Sequence, residues 1–294
     1  MIPRLLADWT LDALAGMLEK GVFEDESFDF KEMLPDGRNS EDKDRLKKTC
    51  AAFANSDGGF LVFGVSNSKK TTGLQRIVGI DANVDFPEHF GNFPKSCSPS
   101  VAWEFRNPPL LLDSGRVVHI VQVPKGWRAP HAVEAGGAWA FPKRTNRGNE
   151  PMSIEEVRSA FLGFYEKRLK LQLLRSEILT IERNAQDICI TDPDKIARKY
   201  SLVSFDTAII DSVIADTYSI TAQCQELHEA LSRLRQATRT ANNKIHLLFS
   251  VVMMPLTDMR DTILSHNEFM EPQAKQIQQQ CQAAINALDG LLNA

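Results

Sequence analysis

The first chemical signal lies near the N-terminus, where Glu24, Asp29 and Lys31 fall in the run Glu24-Asp25-Glu26-Ser27-Phe28-Asp29-Phe30-Lys31. The centre of that run alternates apolar and charged residues. As a strand it puts Phe28 and Phe30 on one face and Asp29 with Lys31 on the other. Two carboxylates at one end of a strand offer hard oxygen ligands to a divalent cation, Mg or Mn. A lysine on the same face can orient a water or offset charge on a phosphorane-like transition state. That chemistry suits phosphodiester cleavage. The same residues also suit a solvated strand face with an internal salt bridge. The strand start leaves open whether Glu24 or Glu26 faces that side.

A second signal is cationic. Lys125, Arg128, Lys143, Arg144 and Arg147 occupy a window whose only acid before Glu150 is Glu134, with Trp127, His131, Trp139 and Phe141 interleaved. Cations for phosphates beside rings that stack on bases are what single-stranded or loop-rich nucleic acid requires. The bland alternative is a solvated loop over buried tryptophans.

Other chemistries lack their signatures. Gly58-Gly59, Gly64 and Gly79 do not make G-x-x-x-x-G-K-S/T, so phosphate binding by a P-loop is unsupported. No nucleophile elbow is present for Ser/His/Asp catalysis. The five cysteines are odd in number and lack C-x-x-C spacing, which fits reduced thiols in a cytoplasmic protein rather than disulfides or zinc. The formal charge of -4 gives no global basic field, so any nucleic-acid site must be a local patch. Met1 to Lys20 carries Asp8, Asp12 and Glu19, unlike a signal peptide. The longest late apolar run, Ile245 to Leu256, falls well short of the ~20 residues a membrane span needs. A soluble protein with no membrane association is expected.

The elements that must position these groups are legible in part. With 294 residues, 43% hydrophobic and 24% charged, the chain can build one sizeable core or two domains. Thr10 is placed to cap a helix over Leu11 to Glu19, ended by Gly21. Ser40 caps a second helix over about Glu41 to Ala54. Asp57-Gly58-Gly59 then turns into Phe60-Leu61-Val62-Phe63-Gly64-Val65, an unalternating apolar run that predicts a central strand covered on both faces. Arg76 to Ile80 is expected to pair with it as a hairpin. Val101 to Phe105, Arg116 to Val123 (with His119 inside), Pro130 to Val133 and Ala138 to Phe141 read as further strands.

Ser153 and Glu156 form a capping box, and beyond them only helical patterns remain. These run over Glu156 to Ala185, Asp192 to Tyr218, Thr221 to Met253 and Glu271 to Leu292. The expected architecture is an α+β domain over residues 1–165, a mixed sheet with flanking helices, followed by an all-α helical bundle over 166–294. The stripes Leu169, Leu173, Ile178 and Leu227, Leu231, Leu234 read as bundle core, or alternatively as a self-association or partner surface.

Taken together, Glu24 to Lys31 (E-x4-D/E-F-K), Ala52-Phe53-Ala54-Asn55-Ser56-Asp57-Gly58-Gly59 (A-F-A-N-S/T-x-G-G), Gly64-Val65, Ile77-Val78-Gly79-Ile80, Val123-Pro124 and Lys143 to Gly148 resemble the Schlafen-type AlbA-like domain. The resemblance covers roughly Leu11 to Tyr165. It implies nucleic-acid binding and, as in the nuclease members, metal-dependent endoribonuclease activity on structured RNA such as tRNA in antiviral defence. By position Glu24 and Asp29 would hold the cation. The third acid of the nuclease members is replaced by Asn67 after Ser66, which supplies a carbonyl oxygen without charge; Asp57 and Asp81 lie outside the motif. The expected roles are Glu24, Asp29 and Lys31 at the scissile phosphate, Lys125, Arg128, Lys143, Arg144 and Arg147 on the RNA backbone, and a homo-oligomer through the helical half. The alternatives are a non-catalytic nucleic-acid-binding or regulatory module with a decayed metal site, and a scaffold subunit with a protein partner in a defence assembly.

Overall fold

The computed structural model describes residues 3–21, 25–35, 40–68, 71–189, 204–215, 224–251 and 259–293. The chain divides into two compact units, Met1–Phe164 and Tyr165–Ala294.

Local signals set the first elements. Thr10 Oγ1 accepts from the Ala13 N–H at 3.1 Å and starts α1 (Leu11–Glu19), whose buried face carries Leu14, Met17 and Leu18. β1 (Phe28–Lys31), α2 (Ser40–Asn55) and β2 (Gly59–Phe63) follow. β1 and β2 are parallel, with Asp29 opposite Leu61, so α2 is the crossover between them. β5 (Val117–Val123) runs antiparallel along the other edge of β2, and the short strands β3 (Glu104–Phe105) and β4 (Leu110–Leu111) pair with β5.

The sheet is covered on both sides. Leu61, Phe63 and Val121 pack with Leu46, Cys50 and Phe53 of α2 and with Phe86 and Phe90 of α3 (Phe86–Lys95). Phe28, Phe30, Phe60 and Val62 pack on the other side with Trp9 and α1. The unbroken apolar run of β2 therefore predicts its central, doubly covered position correctly. Asp29 shares the parity of Leu61, so its carboxylate points into the α2 side.

The expected hairpin partner of β2 forms no strand. Gly73–Arg76 is a 3-10 turn, and the segment behind it pairs just beyond the end of β2 as an antiparallel bridge, Val65↔Ile77, with the Ser66 N–H on Arg76 O at 2.7 Å and the Val78 N–H on Gly64 O at 2.9 Å. It meets β5 through the bridge Ile80↔Val117. The cause is Arg76. Its side chain is fully buried, donates from Nε to Ser66 O at 2.8 Å and lies over the Phe30 ring, which bends the segment inward. Two small antiparallel ribbons complete the unit: β6 (Val133–Ala135) with β7 (Ala138–Ala140), and β8 (Pro142–Thr145) with β9 (Gly148–Pro151). Ser153 and Glu156 make the expected capping box at 2.7 and 3.2 Å, opening α4 (Ile154–Gln186).

Helices are the only regular elements among the described residues of the second unit: the later part of α4, then α5 (Ala208–Ala215), α6 (Gln225–Val251) and α7 (Met259–Asn293). No described helix is long and apolar enough to cross a membrane. Ile178, Leu227, Leu231 and Leu234 are buried as expected of bundle core, but Leu169 and Leu173 are 56% and 50% exposed. The buried stripe of α4 is instead Leu171, Leu174, Ile178, Ile181 and Ala185. At about 100° per residue, Leu169 and Leu173 project from the opposite side of the helix.

His119, inside β5, is stacked on Phe86 at 4.0 Å with neither ring nitrogen hydrogen-bonded. Burial pushes its pKa down to about 4. The folded state thus holds it neutral while the unfolded chain protonates near 6.5, so its contribution is complete above about 6.5 and is lost as pH falls toward 4. All four tryptophans (Trp9, Trp103, Trp127, Trp139) lie in the first unit, so their fluorescence reports its unfolding. The urea midpoint followed this way is expected to drop between pH 6.5 and 4 in the wild type and to drop less in His119→Phe, which keeps the stack and removes the proton site.

Candidate functional site

The acid of the D-x-K strand and the arginine of the basic segment meet. Arg144 Nη1 lies 3.4 Å from Asp29 Oδ2, and both side chains are 3% exposed. Lys31 Nζ, part-exposed at the edge, donates to Asp29 Oδ1 at 2.8 Å. Arg144 continues inward: Nε donates to Asp25 O at 3.1 Å, Nη2 to Phe28 O at 3.3 Å, and Nη1 to Asn149 Oδ1 at 3.1 Å. Its guanidinium also lies over the Phe53 ring at 5.1 Å. Asn149 in turn donates to Thr49 Oγ1 of α2 at 2.9 Å. One polar chain, buried at Asp29, Arg144 and Thr49 and exposed at Asn149, therefore links α2, β9, β8 and β1.

The other cations are placed differently. Lys143 Nζ donates to Glu156 Oε1 at 2.6 Å, and that bond, with the Ser153 N–H, holds the Glu156 carboxyl below the usual carboxylate range. Lys125 forms an exposed pair with Asp57 at 2.9 Å. Arg128 lies over the Trp127 ring at 5.9 Å. Arg147 stands exposed at the β8–β9 turn with no ion pair among the described residues. Asn67 is exposed, and its Oδ1 accepts from Arg76 Nη2 at 3.3 Å. Ser66 Oγ donates to Glu32 Oε2 at 2.9 Å. Glu24 lies outside the described residues.

The end of α2 fastens this arrangement. Asn55 Nδ2 donates to His131 O at 2.9 Å and to Pro142 O at 2.8 Å, while Asn55 Oδ1 accepts from the His131 N–H at 2.6 Å. Ser56 Oγ accepts from the Arg144 N–H at 2.9 Å. Gly58 has φ +79, and a Cβ there would sit 2.8 Å from Val123 O; one at Gly59 would strike the Phe53 ring. Each of the residues Asn55, Ser56, Gly58 and Gly59 thus has a backbone or packing reason to be what it is.

Residues 24–153 match the family model described as Schlafen, AlbA_2. The first unit carries a Schlafen-type AlbA_2 domain. The family is one of nucleic-acid binding. No curated protein matches the chain. Within this Schlafen domain, the A-F-A-N-S-D-G-G segment works as a clasp that closes the sheet, the β6–β7 ribbon and the β8–β9 ribbon onto one helix end.

Fit to a divalent cation can be judged on the donors. Both Asp29 oxygens already face cations, the Asn67 oxygen faces Arg76, and no group of three His, Cys, Asp or Glu side chains among the described residues is placed to hold a metal. Mg keeps several waters and is held through one or two carboxylates, and the one described carboxylate of the expected ligand set, Asp29, is already compensated by Lys31 and Arg144. The described residues do not fit one.

Arg76, Asn55 and Asn149 do not register as site residues from sequence. Arg76 has no local pattern to mark it. Asn55 sits in the recognisable segment, but its acceptors lie 76 and 87 positions away.

The buried pair predicts a contrast. Removing one partner strands a buried charge, so Arg144→Ala is expected to lower unfolding free energy by about 3–5 kcal/mol. Arg147→Ala at the exposed turn is expected to change it by less than about 0.5 kcal/mol. Denaturant titrations of both variants check this.

Proposed function

We propose that the Schlafen-type unit is a nucleic-acid-binding module, acting on RNA through the ribbon that carries Arg147. The observation that carries this reading is the inward commitment of Arg144. Because one arginine of the basic turn is buried against Asp29, the β8–β9 ribbon is fixed in orientation and its other arginine is held outward. A preorganised cation loses less ordering entropy on meeting a phosphate than one on a loose loop. Lys125, half-exposed in its pair with the exposed Asp57, can exchange that carboxylate for a phosphate at little cost. Lys143 and Arg128 add positive charge in the same unit. Asp29 and Lys31 then serve the fold of the module, a cytoplasmic location fits the free thiols, and the helical unit provides self-association or a protein partner.

A second reading is favoured by one observation, the retention of Lys31 at the part-exposed edge beside Asp29 with Glu24 five positions ahead. In it the chain is a metal-dependent endoribonuclease acting on structured RNA such as tRNA in antiviral defence, and the cation would require Glu24.

The experiment is anisotropy titration of a labelled tRNA over a range of salt, with a gel of the same RNA incubated with Mn or Mg. Binding is expected to weaken with salt. Arg147→Ala should weaken it several-fold and lower the salt slope by about one counterion. The RNA should stay intact. Equal affinity of wild type and Arg147→Ala overturns the binding face proposed here, and cleavage that disappears in Glu24→Gln replaces it with the nuclease.

A further inference from the structure

The four aromatic side chains interleaved with the cations between Lys125 and Glu150 meet different fates. Trp127 tilts against Phe164 at 5.8 Å beneath Arg128. Phe141 meets Phe161 edge-on at 6.0 Å. His131 is buried, with Nδ1 2.8 Å from Pro99 O. Trp139 turns outward and is 60% exposed.

Its exposure is built, not incidental to a loose loop. Trp139 sits within β7, directly opposite Glu134 of β6. The two-residue Gly136-Gly137 turn between the strands has φ +64 and +77, the tight geometry that matches the twist of a two-stranded ribbon. The Gly136 N–H reaches Asp44 Oδ2 on α2 at 3.3 Å, and the base of the ribbon is fastened by Asn55 through His131 and Pro142. Both ribbons pack on α2, so Trp139 and the Arg147 turn are carried by one support. A large amphipathic ring turned outward on a fastened ribbon is available for contact with a partner.

We propose that Trp139 is a stacking platform for one unpaired base of single-stranded or looped nucleic acid, which rests on the nucleic-acid reading above. An indole face takes any base, because every base presents a π surface. The Glu134 carboxylate beside it repels a phosphate at that point and leaves the flat ring of a base as the better neighbour. The backbone contact comes instead from the adjacent ribbon. The module therefore distinguishes paired from unpaired strands: a base within a duplex is already stacked and cannot reach the indole without being extruded.

The test uses the full chain with a labelled single-stranded RNA, the same RNA carrying one abasic position in a register series, and its blunt duplex. Trp139→Ala is expected to weaken single-strand binding about tenfold, Trp139→Phe to retain most of it, and both to leave duplex affinity unchanged. Wild-type tryptophan emission should be quenched by the single strand, and Trp139→Phe should lose that quenching. At the productive register an abasic site should bring wild type down to the level of Trp139→Ala. If Trp139→Ala binds the single strand as wild type does while Arg147→Ala is weakened, the platform is overturned and the binding module stands; a face reserved for a protein partner gives this result. An equal loss on single strand and duplex also overturns the platform. If no RNA binds to any form, both readings fall together.

Discussion

A buried ion pair between Asp29 and Arg144 governs the first unit, because it joins the beginning of the sheet to the last ribbon before α4. Two ions out of water carry a desolvation penalty of several kcal/mol each, and their attraction offsets it only when the remaining donors are satisfied. Here they are: Arg144 reaches two backbone carbonyls, a carboxylate and an amide, and Asp29 has Lys31 on its second oxygen. The network also fixes direction. A guanidinium is planar, so its bonds to Phe28 O, Asp25 O and Asn149 Oδ1 leave the ribbon little freedom to rotate about β1. Net stabilisation is secondary to this positional effect.

Asn55 plays the matching role at the other end of α2. A side-chain amide has two donors and an acceptor with two lone pairs, and Asn55 uses both donors and one lone pair on the backbone of His131 and Pro142, which face each other at the open end of the β6–β7 ribbon. Those groups would otherwise be buried without partners, at about 1–3 kcal/mol each. The glycines beside it let β5 approach α2 closely. The result is a rigid base from which two small ribbons, neither stable alone, project.

Much of this was legible where the determinant is local. The Thr10 cap, the doubly buried β2 and the Ser153–Glu156 box all depend on residues within a few positions, and each is observed as read. The reading of Arg76 to Ile80 as a strand failed because one buried arginine overrides β propensity, and no sequence period marks a buried cation. On α4 a regular leucine spacing exists on two faces, and periodicity alone does not say which one is covered. The chemical groups Asp29, Lys31 and Arg144 were identified by type, but that two of them pair 115 positions apart is a property of topology. Glu24 lies outside the described residues, as does the expected helix from Asp192 to Tyr218 except for residues 204–215, where only Ala208–Ala215 is helical and 204–207 are extended or irregular.

The long reach of the Asn55 bonds sets an order of events during synthesis. As the chain leaves the ribosome, α2 can form early, yet the carbonyls its terminal amide must meet belong to residues 131 and 142, and the arginine that neutralises Asp29 comes later still. Closing such distant loops is entropically costly and slow, and it cannot begin before the partners exist. A nascent chain stopped short of the second ribbon would hold an acid paired only with Lys31 and an unclasped helix end. The unit therefore matures at a single late step, when nearly all of its polypeptide has emerged.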